Sequence, residues 1–319
     1  MRRALLALLV VGAALAAAAC SSTSNEALNR SLSPLPRTPP ATNAARSTTA
    51  PDTTCNPVES FAPDDATTGP GLDKIRSNGV LVVGVDQGTT GWGYRDPHTG
   101  ELKGLEIDLL KKIAGTILGD ESKIKFKTVT TAQRIAAVQR GDVDMVASLL
   151  TATCARWEGV DFSTVYYDAH QDVMVNQNSG IDSVDDLAGR TVCATRGSTS
   201  IVNIAARVPK AVLYPVDTRS DCLVALQEGE VDAITSDDTI LRSFQAQERV
   251  PHTKLLGTIS EGEHEPYAIA IERGNEDLVR FVNGVLDQMR EDRTLEQLYV
   301  KWLGPENAPA TPPEATYGR

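Results

Sequence analysis

The sequence predicts an α/β protein in which two units of parallel or mixed sheet lie end to end with a cleft between them. Three observations carry this. Short β-branched runs alternate with segments of helical apolar period, the alternation runs through twice, and the polar residues that could carry chemistry fall where strands end. Of 319 residues, about 234, from Leu72 to Pro305, have the composition of a folded protein. That is enough for two lobes at roughly 100–200 residues per domain.

The elements follow in order. Val80 to Val85 is a buried-strand run, and the apolar residues Leu109, Leu110, Ile113, Ala114, Ile117 and Leu118 then recur at helical spacing. Lys123 to Val129 reads as a strand, Ala132 to Arg140 as a helix and Val143 to Leu149 as a strand, with a break at Arg140-Gly141-Asp142. A second set has strands at Asp172 to Val175, Thr191 to Ala194, Val212 to Val216 and Val231 to Thr235. Its helices are Ser198 to Ala206, Ser220 to Gln227 and Asp238 to Gln245. Tyr267 to Ile271 is a further strand. A helix capped by Asn275 follows, and a last one with Leu295, Leu298, Tyr299 and Trp302 ends at Gly304-Pro305.

Outside this region the composition changes. Arg2 and Arg3 precede an apolar run from Ala4 to Ala19, the order of a secretory leader over residues 1–19 and too short for a permanent span. Cys20 directly after small residues resembles the lipobox of bacterial lipoproteins, which implies a diacylglycerol anchor on Cys20. Residues 20–71 are rich in Pro, Ser and Thr and are expected to form a disordered spacer, and 306–319 a disordered tail. Cys55, Cys154, Cys193 and Cys222 remain, an even number in an exported chain, with three possible connectivities. Cys193 follows a strand and Cys222 opens the neighbouring helix, which favours Cys193–Cys222 and leaves Cys55–Cys154; free buried thiols are the alternative.

A formal charge of −11 and a pI near 4.9 disfavour nucleic acid, whose binding needs a basic field. His98, His170, His252 and His264 show no ligand spacing, so no metal is expected, and no cofactor motif is present. There is no nucleophile elbow or Walker loop either. Asp86, Thr151 to Arg156, Arg196 to Ser200, and Asp237 with Asp238 each follow a strand. In open α/β sheets that places them around one cleft.

Several motifs occur here in a fixed order. They are Asp86, Gly104-Leu105-Glu106-Ile107-Asp108, Ala136 to Asp144, Thr151-Ala152-Thr153-Cys154-Ala155-Arg156, Asp161-Phe162-Ser163, Arg196-Gly197-Ser198-Thr199-Ser200 and Val231 to Asp238. In these the chain resembles the type II extracytoplasmic solute-binding proteins of polar amino-acid ABC importers over nearly all of Leu72 to Gly304. It resembles in particular the actinobacterial glutamate/aspartate/asparagine-binding lipoproteins, often labelled glutamine-binding. The resemblance implies a two-lobed periplasmic-binding-protein-like type II fold, with lobe 1 at 72–167 and 267–305, lobe 2 at 168–266, and hinge strands near His170 and Glu265.

It further implies that Arg156, with Thr151 and Thr153, takes the α-carboxylate of a free amino acid, a planar fork on a planar anion. The helix opening at Ser198 and Thr199 would aid it, and Asp237 would receive the α-ammonium. Asp86 also belongs to the expected site. Thr89 and Thr131 stand where the family sandwiches the side chain between aromatics, with Trp92 nearby. Arg196 is the expected partner of an acidic side chain. A surface role for Arg156, a helix cap for Asp237 and a solvent-facing loop position for Arg196 are the plainer alternatives. The partners implied are an amino acid and an ABC permease with its ATPase, for a lipid-anchored monomer on the extracytoplasmic face of the membrane. A sensor acting through a membrane protein on a kinase, and a dehydratase on the same fold, are the rival functions.

Overall fold

The computed structural model describes residues 55–64, 67–247, 252–259 and 264–319. The expected leader, Cys20 and the spacer up to residue 54 lie outside the described residues. The chain first runs through α1 (Pro70–Asn78), β1 (Leu81–Val85), α2 (Leu105–Leu118), β2 (Ile124–Thr128), α3 (Arg134–Gln139), β3 (Met145–Val146), α4 (Cys154–Trp157) and β4 (Val160–Phe162). It then crosses through β5 (Tyr167–Ala169) into β6 (Gln171–Asn176), β7 (Thr191–Thr195), α5 (Thr199–Arg207), β8 (Val212–Val216), α6 (Arg219–Gln227), β9 (Ala233–Asp237), α7 (Asp238–Gln245) and β10 (Thr253–Leu255). It returns through β11 (Glu265–Tyr267) to β12 (Ala270–Glu272), α8 (Glu276–Glu291) and α9 (Thr294–Leu303).

Two five-stranded mixed sheets result, in the orders β2-β1-β3-β12-β4 and β8-β7-β9-β6-β10. In each, three strands run parallel and the fourth is antiparallel to both its neighbours. The two crossings pair with each other: β5 and β11 are antiparallel, with Tyr167 opposite Tyr267 and Ala169 opposite Glu265. Helices α1, α2, α8 and α9 pack on one another. Their stripes of Leu72, Ile75, Leu109, Ile113, Leu278, Val282, Leu286 and Tyr299 are fully buried, at roughly 1.5–3 kcal/mol for each large aliphatic side chain. α1 opens on a proline, and the amides of Gly71 and Leu72 donate to Asp277 Oδ2 at 3.0 Å. A carboxylate from the far end of the sequence therefore caps it.

Three expectations differ from the structure. The strand expected over Val143 to Leu149 is only Met145–Val146, because the backbone turns at Leu149 into the left-handed region at φ 48°. The turn is held by Glu106 Oε1, which accepts from the Leu149 N–H at 2.6 Å, and by Arg134 Nη1, which donates to the Leu149 carbonyl at 2.8 Å. Tyr267 to Ile271 is split between the crossing strand β11 and the sheet strand β12.

The third concerns both ends. Residues 306–319 are not a loose tail, and the folded chain begins by Cys55 rather than Leu72. Thr316–Tyr317 pair in parallel with Glu59–Ser60, Arg290 Nε donates to the Pro313 carbonyl at 3.0 Å, and Arg319 lies 3.8 Å over the Trp157 ring. Asn283 Nδ2 in turn donates to Ser60 Oγ and the Phe61 carbonyl at 2.8 and 2.7 Å. These contacts use backbone carbonyls and single side chains. Composition and periodicity, which report apolar faces, carry no trace of them.

Candidate functional site

The loops at the carboxyl ends of the strands meet between the sheets. α4 begins at Cys154, bonded to Cys55, and is capped by Thr153, whose Oγ1 accepts from the Arg156 N–H at 3.3 Å. This short turn aims Arg156 across the gap. Its Nη1 donates to the Thr151 carbonyl at 2.6 Å, and its Nη2 to the Gly197 carbonyl at 3.0 Å in the loop after β7. Gly197 has φ 75°, and a Cβ there would lie 2.9 Å from Ala132 Cα, so only glycine lets this loop meet the opposite lobe.

From the second sheet, Ser198 caps α5 by accepting from the Ile201 N–H at 3.2 Å and donates to the Thr195 carbonyl at 2.8 Å. Thr199 Oγ1 donates to Glu265 Oε2 at 2.7 Å, and Thr151 Oγ1 reaches the same oxygen at 2.5 Å. Asp237 ends β9 and occupies the N-cap position of α7, yet its side chain caps nothing. Its Oδ2 accepts from the Tyr267 hydroxyl at 2.5 Å, and Ser200 Oγ lies 3.4 Å from Oδ1. Burial raises the Asp237 pKa, against the Tyr267 hydrogen bond and the charges of Arg219 and Arg134.

Sequence reasoning passed over three charged groups here. Arg134, buried on the first turn of α3, donates from Nε to the Thr131 carbonyl at 2.9 Å and from Nη1 to the carbonyls of Ser148 and Leu149 at 3.0 and 2.8 Å. Its pKa is pushed down by burial and by the guanidinium groups of Arg156 and Arg219. Arg219, the first residue of α6, crosses from the second sheet to Asp86 of the first at 3.2 Å and donates to the Ser148 carbonyl at 3.3 Å. The Thr89 hydroxyl donates to the same Asp86 oxygen. Glu265 is the third.

Thr131, Arg134, Thr151, Thr199, Arg219 and Asp237 line a space of about 10 Å³, room for about one water. The groups around it can serve both ends of a zwitterion, guanidinium and hydroxyl donors on one side and a carboxylate on the other.

Not every expected residue faces this space. Thr153 serves as a helix cap, whereas Ser198 caps α5 and also lines the space. Trp92 is fully buried, edge-on to Tyr167 and Tyr267 at 4.7 and 5.4 Å between ring centroids. Arg196 corrects the expectation most clearly. Its N–H joins the Val216 carbonyl at 2.8 Å, which sets it beside Asp217, and its Nε donates to Asp217 Oδ1 at 3.0 Å on the surface. The charge already has a solvated partner. Arg196→Ala is therefore expected to change amino-acid affinity less than about fivefold, since exposed pairs contribute about 0–1 kcal/mol; a tenfold loss by calorimetry would restore it to the site.

Cys193 of β7 is bonded to Cys222 of α6, one turn from Arg219, so the strand and the helix that carry this side of the cleft are tied together.

Residues 81–305 match the bacterial extracellular solute-binding proteins, family 3. The chain is 37% identical over 233 residues to the ABC transporter glutamine-binding protein GlnH of Bacillus subtilis, covering 73% of this chain and 84% of that one. It is 29% identical over 252 residues to the glutamate-binding protein GluB of Corynebacterium glutamicum, covering 76% and 85%. The solved solute receptor for L-cysteine of Neisseria gonorrhoeae superimposes with a TM-score of 0.71 at 27% identity, over 76% of this chain and 99% of that one. The architecture is the two-lobed type II periplasmic-binding-protein fold. With a family match that spans both sheets and the whole cleft, the chain belongs to the bacterial extracellular solute-binding proteins of family 3.

Proposed function

We propose that the cleft binds a polar or acidic L-amino acid, one of glutamate, aspartate, asparagine or glutamine, outside the cytoplasmic membrane and delivers it to an ABC permease and its ATPase. The observation that carries this reading is the convergence of Thr151 from one lobe with Asp237 from the other around one polar space, with Arg156 bonded to the Thr151 carbonyl beside it. A free amino acid presents a carboxylate and an ammonium at fixed separation, and this pairing of a guanidinium with a buried carboxylate suits both. Relatives named for glutamine and glutamate agree with it.

An amino acid of about ten heavy atoms cannot enter a space that holds about one water. Loading thus requires the lobes to part, with β5 and β11 as the hinge, and the reclosed form is what a permease would recognise. A thermal-shift screen of the twenty amino acids tests the reading. A ligand at about a thousand times its Kd adds about 4 kcal/mol of stability, so one or more of the four should raise Tm clearly. No shift with any of them would reject it.

The anchor belongs to the same reading: a lipidated monomer held by Cys20, with no other apolar run in the sequence to hold it. Cys20→Ala should leave ligand binding intact and release the protein from membranes, and its retention in the membrane fraction would contradict this.

A further inference from the structure

The assignment above gives Glu265 no part in holding an amino acid, yet its carboxylate sits on groups that the amino acid needs. Glu265 lies on the crossing strand β11 and is 3% exposed. Its Oε2 accepts from Thr151 Oγ1 at 2.5 Å, beside Arg156, and from Thr199 Oγ1 at 2.7 Å, on the first turn of α5. Its Oε1 accepts from Asn203 Nδ2 at 3.2 Å, one turn further along that helix. The charged groups facing it are Arg156 from α4, which favours its ionised form, and Asp237 from the end of β9, which opposes it. Its neighbour His264 is engaged with Asp168 Oδ2 at 2.7 Å on the surface.

On the amino-acid reading of the cleft, on which this inference rests, the ligand and Glu265 call on the same donors. An incoming α-carboxylate is drawn to Thr151 and Thr199, which already donate to Glu265, and to Arg156, whose charge already favours the ionised form of Glu265. Two carboxylates in one dry site cannot both stay ionised at low cost. We propose that Glu265 is a resident competitor for the ligand's carboxylate, and that binding an amino acid takes up one proton from solvent onto Glu265. The neutral acid then turns from acceptor to donor and leaves the two threonine hydroxyls and Arg156 to the ligand. Burial, with the charge of Asp237, independently pushes the Glu265 pKa up to about 7, so that the competitor is charged at pH 8 and readily neutralised.

The test is isothermal titration calorimetry of the mature protein with L-glutamine and with L-glutamate at pH 8, in phosphate and in Tris. The difference in buffer ionisation enthalpy counts protons taken up per amino acid bound. A second series measures Kd from pH 6.5 to 8.5. Wild type should take up close to one proton at pH 8, and its Kd should weaken by about tenfold per pH unit on the alkaline side. Glu265→Gln, or Glu265→Ala should that variant not fold, should take up none, bind at pH 8 at least as tightly as wild type and show a flat profile. Binding by wild type without proton uptake, or equal uptake in the Glu265 variant, overturns the proposal while leaving the amino-acid reading intact. Failure of all twenty amino acids to bind wild type would overturn that reading and this proposal together.

Discussion

Arg156→Ala is expected to lose amino-acid binding by two to nearly four decades while keeping its fold. The loss follows from desolvation. Once the cleft closes, the ligand's carboxylate is out of water, and removing one member of a buried ion pair typically costs about 3–5 kcal/mol, which is about two to nearly four decades in Kd. The fold survives because the ligand-free contacts of this guanidinium are two carbonyls, those of Thr151 and Gly197, at the mouth of a cleft that can admit water. The cap on α4 uses the backbone N–H of residue 156, which alanine retains, and the Cys55–Cys154 bond still ties that turn to the N-terminal segment. Calorimetry beside a melting curve separates the two effects. A Kd within threefold of wild type would remove Arg156 from the site, and a collapsed Tm would make its role structural.

What could be read in the sequence divides along a physical line. Strands, helices and the polar residues at strand ends leave local signals, so Thr151, Arg156 and Asp237 were legible as a constellation; in the structure Thr151 and Asp237 line one space and Arg156 is bonded to the Thr151 carbonyl. Arg134, Arg219 and Glu265 became site residues only through contacts between distant segments. Arg219 and Asp86, for example, are 133 positions apart and meet only because two lobes face each other. The strand-end rule applied to Arg196 would have served Arg219 as well, since both lie just after strands of the second sheet. The difference is direction: the residue beside Asp217 points to solvent, and the first residue of α6 points across the gap. A rule about position along the chain does not contain that.

Asp237→Asn should separate affinity from stability with opposite signs. The carboxylate is buried, and its pKa stands above the ordinary carboxylate range chiefly because burial disfavours the charge. A raised folded-state pKa means that the folded protein holds the proton more tightly than the unfolded chain. Wild-type stability therefore falls as pH climbs from the unfolded carboxylate value of about 3.9 through the higher folded value. Asparagine is nearly isosteric, its amide oxygen can still accept from the Tyr267 hydroxyl, and it carries no charge to desolvate. The ligand-free variant should then melt at or above the wild-type temperature at pH 7 and lack that part of the pH dependence. Its affinity should move the other way. An α-ammonium enclosed without its carboxylate loses about 2–5 kcal/mol, or one and a half to nearly four decades. The outcome is a case of a site residue held at some expense to stability for the ligand it receives. Melting curves at pH 4 to 8 and calorimetry at pH 7 read both quantities, and a variant that is less stable at pH 7 yet binds normally would show that Asp237 holds the lobe together rather than the amino acid.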